Sequence, residues 1–337
     1  MKLSIVIICW NDRKVIFDCL KSIVEETKET EFEVVISDNG STDGSIGLIR
    51  EQYPACRIVE NCANLGFARG NNAGIRHATG EYVLILNPDT IVRDRALDKW
   101  VAYAERHPEA GAFGCRVLNP DGSFQNPARP FPTVWRLWVA ALWLRPLGHI
   151  SNAFVADLYP GWAGETDRPI DWQSGCCVMV RRELLHRLEG FDERFFYHYE
   201  EVDLCLRVWR SGKPVLFYAG AEITHLGGQS VGRFPIRFAL EKLRNRYRYI
   251  GKHDGDAAMR ACRRATHAGL WLRRAGYGLR AFFGRTEALT NRLEMYRICI
   301  AWNARLDPVA FCRYGTEPDL GYAPLTPAPV AAAVPAQ

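Results

Sequence analysis

A chain of 337 residues can bury a substantial core, as one large domain or one domain with an appendage, and 48% hydrophobic with 12% aromatic residues excludes a disordered protein. The net charge of +5 conceals an asymmetry: residues 233–313 carry 18 Lys+Arg against 6 Asp+Glu, a surplus of +12, so everything else sums to −7. That basic end is expected to favour a polyanionic or anionic-lipid surface.

The 11 cysteines form no CxxC pair and show no Cys/His spacing suited to zinc. Cys9, Cys115, Cys176 and Cys177 lie in apolar stretches and read as small buried hydrophobes. No secretory leader follows Met1, so a reducing cytoplasm is the expected compartment. No apolar run reaches the length of a membrane span; the nearest, residues 134–144, is short and carries Arg136.

In chain order, Leu3 to Cys9 is a continuous apolar run and predicts a buried first strand. Val15-Ile16, Cys19-Leu20 and Ile23-Val24 then recur at helical spacing. Phe32 to Ser37 predicts a second strand, with Ser41 or Thr42 as the cap of the helix after it. Arg57 to Glu60 predicts a short third strand, followed by a glycine-punctuated helix to His77. Tyr82 to Leu86 is a fourth strand, and strand–helix alternation of this kind implies a parallel sheet covered on both faces. The turn after the first strand reads Cys9-Trp10-Asn11-Asp12-Arg13, without the glycines of a dinucleotide fingerprint, and no P-loop motif occurs anywhere.

Asn87-Pro88-Asp89-Thr90 stands where the fourth strand gives out, at the rim where open α/β sheets bind ligands. An Asn and an Asp two residues apart, stiffened by proline, offer oxygen ligands to a hard divalent ion, but Asn-Pro-Asp is equally a common turn. Further on come a helix over 96–107, a strand over 112–117, an irregular Pro- and Trp-rich stretch over 119–170, and a strand over 171–181. Glu200-Glu201-Val202-Asp203 opens a helix, where acids favour the dipole and Asp203 can pair with Arg207 at i+4. Val215 to Tyr218 is a last strand leading to His225, and helices run from Phe234 to about Arg313.

Six stretches, in order, resemble the family 2 inverting glycosyltransferases of GT-A fold, and within them the bacterial rhamnosyltransferase-like branch. They are residues 4–7, Asp38-Asn39-Gly40-Ser41-Thr42-Asp43, Asn64 through Asn72, Asn87-Pro88-Asp89, Gly190 through Asp203, and Thr224-His225. The resemblance implies a Rossmann-like mixed sheet flanked by helices over 1–232; outside it, helical spacing and arginine content predict a basic helical C-terminal region over 233–313, and Ala/Pro-rich composition predicts a disordered tail over 314–337. It implies that Asp38 accepts from the N3–H of a uracil or thymine, since a carboxylate can only accept. It implies that Asn64, Arg69 and Asn72 contact diphosphate and sugar, with Trp172, Glu200 and Asp203 completing the substrate-binding set.

By the same resemblance Asp89 and His225 hold Mg²⁺ or Mn²⁺, with Asn87 in place of the metal motif's usual first acid. Glu201 stands where the family's catalytic Asp does, as the base that takes the acceptor hydroxyl's proton. The implied activity is transfer of a sugar, with L-rhamnose from dTDP-L-rhamnose favoured, from a nucleotide-diphosphate donor to a glycan or lipid-linked acceptor in cell-surface polysaccharide synthesis. The alternatives are a transferase using another UDP- or dTDP-sugar, and a non-catalytic sugar-nucleotide or glycan-binding protein. No nucleic-acid-binding motif is present. Arg and Lys interleaved with Trp271, Tyr277, Phe282 and Phe283 suggest peripheral attachment to the inner face of an anionic membrane.

Overall fold

The computed structural model describes residues 1–155, 158–227 and 235–318. Its first half is the alternation read above: β1 (Leu3–Cys9), α1 (Ile16–Glu26), β2 (Phe32–Asp38), α2 (Ser45–Gln52), β3 (Arg57–Glu60), α3 (Gly66–Ile75) and β4 (Tyr82–Leu86). β5 (Thr90–Val92), α4 (Ala96–Arg106) and β6 (Ala112–Leu118) follow. The stretch read as irregular holds β7 (Ala128–Arg129), α5 (Val134–Ala141) and β8 (Arg168–Ile170). After it come β9 (Trp172–Gln173), β10 (Cys177–Arg181), α6 (Arg182–Arg187), α7 (Glu200–Arg210) and β11 (Val215–His225). The C-terminal helices are α8 (Pro235–Phe282), α9 (Glu287–Arg305) and α10 (Pro308–Tyr314).

The main sheet runs β3-β2-β1-β4-β10-β6-β11-β5, with β8 pairing the first residues of β11 on the edge that β5 takes at its end. β1 to β4 are mutually parallel, but β10 is antiparallel to both β4 and β6, so the sheet is mixed and not the wholly parallel one that alternation suggested. β1 shows why both faces are buried. Leu3, Ile5, Ile7 and Cys9 pack with α1 and α4, whereas Val6 packs with residues of α3, α6 and α7.

Three local expectations are corrected. α2 begins at Ser45 after Gly44 in a left-handed conformation (φ 78°), so neither Ser41 nor Thr42 caps it. The strand read over 171–181 breaks at residues 174–176: β9 pairs with β7 in a separate two-stranded sheet, and only β10 joins the main one. The break lets Gly175 pass close to Phe67 and Glu201, which an unbroken strand would not do. Finally, the last strand does not stop at Tyr218. It continues through an irregularity between Tyr218 and Glu222 to His225.

The basic helices do not hang free. Phe195, Tyr199 and Val202 share one buried cluster with Leu240, Leu243, Tyr247 and Ile250 of α8 and with Trp302 of α9. α8 turns at Gly255, whose φ of 81° and ψ of −177° only glycine adopts readily. The expected boundary at 232/233, and nearly all of the expected tail, lie outside the described residues.

Candidate active site

β5 pairs antiparallel with β11, so that His225 lies opposite Thr90 and beside the turn that follows β4. There His225 Nε2 sits 3.2 Å from Asp89 Oδ1 and 3.5 Å from the Asn87 side-chain amide. Both Asp89 and His225 are largely buried. The tautomer is assigned by a neighbour the sequence did not single out. Gln125 donates through Nε2 to Asn119 Oδ1 (2.9 Å) and to the His225 carbonyl (3.2 Å), which leaves its Oε1 to accept from His225 Nδ1 at 2.7 Å. With Nδ1–H so committed, it is Nε2 that faces Asp89: protonated it donates to Oδ1, and deprotonated it offers its lone pair to a cation. Burial opposes a charge on His225, yet the Asp89 hydrogen bond prevails and moves its pKa upward.

Among the described residues no three His, Cys, Asp or Glu side chains group as a metal cage. One carboxylate and one imidazole nitrogen nevertheless fit Mg²⁺ or Mn²⁺ that keeps waters and takes its remaining ligands from phosphate oxygens. Asn87 points its amide nitrogen at the imidazole, an orientation that does not ligate.

Opposite lies the start of α7. Glu200 and Glu201 are buried, and one oxygen of each (Oε2) has no hydrogen-bond partner in the protein. Burial raises the proton affinity of Glu200 far above the ordinary carboxylate range, and the adjoining Glu201 charge adds to this. Burial likewise raises Glu201, against the pull of backbone amides at the helix start and of Lys242 on α8. The pair is delivered by an unusual backbone: His198 (φ 67°) and Tyr199 (φ 76°) are consecutive left-handed non-glycine residues. α8 holds that turn in place. Asn245 donates to the Tyr197 carbonyl at 2.8 Å, and Arg246 donates to the Tyr199 hydroxyl at 3.1 Å.

The two halves meet across residues 174–177. A Cβ at Gly175 would lie 3.7 Å from the Glu201 Cβ, and the next residue's carbonyl accepts from Asn87 N at 2.9 Å. Burial raises the pKa of the Tyr197 phenol, and the charges of Glu200, Glu201 and Asp89, which all act on it, raise it further.

The donor-side residues divide. Asp38, at the end of β2, accepts from Ser41 N at 2.9 Å through Oδ1. Asn64 accepts from Gly66 N at 2.9 Å, and Arg69 lies 3.3 Å from Glu193 at the surface. Gly66 and Gly70 do allow close approach, but to the protein's own Phe196 and Asn39, which an added Cβ would meet at 2.5 and 2.9 Å. Trp172 donates its indole N–H to the Pro130 carbonyl at 3.0 Å.

Two of the expected substrate contacts are engaged within the protein. Asn72 exchanges hydrogen bonds with the Phe191 backbone (2.8 and 2.9 Å) and donates to Glu193 at 3.2 Å, so its amide stitches α3 to residues 190–193 and both of its N–H groups are spent within the protein. Asp203 is fully buried and fully engaged. Oδ2 accepts from Arg207 at 2.7 Å, while Oδ1 accepts from Lys252 at 2.6 Å and from His253 at 2.7 Å. It is a strut between α7 and α8, not a substrate contact.

Besides Gln125, sequence reasoning missed Tyr197 and the α8 residues Lys242, Asn245 and Arg246. Gln125 lies in a stretch without periodicity, and α8 falls outside the six matching stretches, so no spacing pointed to them.

Residues 4–188 match the model of glycosyl transferase family 2. The N-acetylglucosaminyl-diphospho-decaprenol L-rhamnosyltransferase of Mycobacterium tuberculosis (strain ATCC 25618 / H37Rv) is 30% identical over 239 residues, 67% of this chain and 77% of that protein. The rhamnosyltransferase WbbL of Escherichia coli (strain K12) is 23% identical over 70% of this chain and 89% of its own length. Among solved structures, the mannosyltransferase PcManGT from Pyrobaculum calidifontis, in complex with GDP-Man and Mn²⁺, superposes with a TM-score of 0.56 at 19% identity. The match covers 94% of this chain and 88% of that one.

Proposed function

The chain belongs to glycosyl transferase family 2 and is a glycosyltransferase, and on that premise we propose that it performs metal-dependent, inverting transfer of L-rhamnose from dTDP-L-rhamnose to a lipid-linked glycan in cell-surface polysaccharide synthesis. The observation that carries the reading is Glu201: a buried carboxylate with a raised proton affinity and one unpartnered oxygen, beside the loop that joins it to the Asp89 turn.

Inversion needs one base. Glu201 takes the proton of the acceptor hydroxyl as that oxygen attacks the anomeric carbon; the new glycosidic bond forms as the bond to the nucleotide diphosphate breaks. A carboxylate of ordinary pKa is too weak a base for this near neutrality, and burial corrects that. Burial and the neighbouring Glu201 charge both favour the protonated form of Glu200, which eases like-charge repulsion beside the base. Asp89 Oδ1 and His225 Nε2 are the atoms that would hold Mg²⁺ or Mn²⁺, which supplies charge neutralisation for the departing diphosphate. Gln125 keeps Nε2 available by holding the proton on Nδ1. Asp38 is assigned to the thymine N3–H and Asn64, Arg69 and Trp172 to donor and acceptor contacts. Arg69 must first leave Glu193, a half-exposed pair that gives it up at little cost.

Rhamnosyl transfer is supported by the names of both relatives, and the lipid-diphosphate acceptor by the name of the Mycobacterium tuberculosis one. The test is direct: incubate the chain with dTDP-L-rhamnose, Mn²⁺ and an N-acetylglucosaminyl-diphospho-lipid, then read the product by mass spectrometry and its anomeric configuration by NMR. A rhamnosylated lipid of inverted configuration is expected. Turnover of UDP-sugars alone would overturn the donor assignment, and retained configuration would overturn the role of Glu201.

A further inference from the structure

Ten of the thirteen large apolar side chains exposed among the described residues fall in two segments: Trp135, Leu142, Trp143, Ile150 and Leu158 in one, and residues 271–283 in the other. The second group includes Leu279, Phe282 and Phe283 at the end of α8, the last two more than 80% exposed. The segments adjoin in space. α5 runs along α8, where Arg273 donates to the Ala140 carbonyl at 3.0 Å, and a Cβ on Gly276 would meet the Trp143 ring at 3.3 Å. Single exposed apolar residues are ordinary; concentration in two adjoining segments is not.

The charge along the second segment is one-sided. Residues 271–292 carry five arginines against one carboxylate, Glu287. Arg280 lines a recess of about 410 Å³ together with Tyr277, Phe283 and Arg292. Among the described residues no helix is long and apolar enough to cross a membrane.

We propose that α5, the loop that follows it and the tip of the α8–α9 hairpin form a docking face for an anionic lipid bilayer. Trp and Phe side chains interleaved with arginines suit the headgroup boundary, where rings bury while guanidiniums meet phosphate. A second copy of the chain fits less well. A two-fold contact sets the same patch against itself, and here that brings the exposed Arg280, Arg285 and Arg292 onto the same three arginines. The inference is independent of which sugar is transferred.

The test uses the full chain and co-sedimentation with phosphatidylglycerol-rich or pure phosphatidylcholine vesicles. Binding to the anionic vesicles at low salt is expected, with little to the zwitterionic ones. Phe282→Ser with Phe283→Ser, and separately Arg280→Glu with Arg285→Glu, should each weaken it about tenfold or more. These exposed positions lie outside the site, so melting temperature and turnover of a water-soluble acceptor should stay unchanged. Wild-type chain left in the supernatant with anionic vesicles at low salt overturns the proposal. So do hairpin variants that bind as tightly as wild type, or that dissolve a dimer without altering vesicle binding.

Discussion

Two carboxylates on α7, two residues apart and both buried, have opposite fates. Glu201 has one oxygen with no partner in the protein, and burial raises its proton affinity. Asp203 lies against Arg207, Lys252 and His253; burial would raise it too, but the His253 hydrogen bond and the Arg207 and Lys252 charges overcome this and lower its pKa. Burial alone therefore does not decide whether an acid is a base in waiting or a strut. The number of donors aimed at it by neighbouring side chains does, and for Asp203 two of three come from α8. The division matters because α7 must be held still at one end and left reactive at the other.

The sharpest way to break the comparison is to neutralise each acid in turn. Glu201→Gln should lower turnover by about 10²–10⁴-fold, the usual share of a general base, with a circular dichroism spectrum like that of wild type. A variant that kept near-wild-type turnover would move the base elsewhere. Asp203→Ala should instead cost about 3–5 kcal/mol of stability in urea unfolding, because it strands buried cations. A loss below about 1 kcal/mol, the range of surface pairs, would show that the strut is not one.

Gln125→Leu probes the other rim. Removing the acceptor for His225 Nδ1–H should weaken Mn²⁺ binding by about 10–100-fold, read by electron paramagnetic resonance of free Mn²⁺ with no turnover involved. Unchanged affinity would take Gln125 out of the site.

The smallest effect is a pH signature. A carboxyl whose proton affinity is higher folded than unfolded contributes stability below its ordinary range and loses it as pH rises through the raised value. Glu201→Gln should therefore melt above wild type at alkaline pH, and the gap should close below the ordinary carboxylate range. A gap of the opposite sign would mean that Glu201 is paired in the folded chain and not isolated.

The comparison also separates what was readable from what was not. Glu201 and Asp203 look alike along the chain, and the helical i+4 spacing revealed only the Arg207 partner. Lys252 and His253 stand some fifty residues away and arrive by packing alone. The ties of Asn72 were missed for a similar reason: an asparagine in a glycine-rich loop looks free until residues 190–193 close over it. The break at residues 174–176 was hidden because an apolar run carries no sign that a neighbouring helix needs the space.

By itself the sequence determined the alternating α/β plan, the rim position of Asp89 and the family, because buried strands must be apolar and chemistry-bearing residues keep their order. Only the tertiary structure decided that β10 runs antiparallel, that β11 delivers His225 to Asp89, and that α8 props the turn before Glu201. Those contacts join residues tens to more than a hundred positions apart. Local composition biases a strand or a helix, but it carries no record of which distant side chain will supply the missing hydrogen bond.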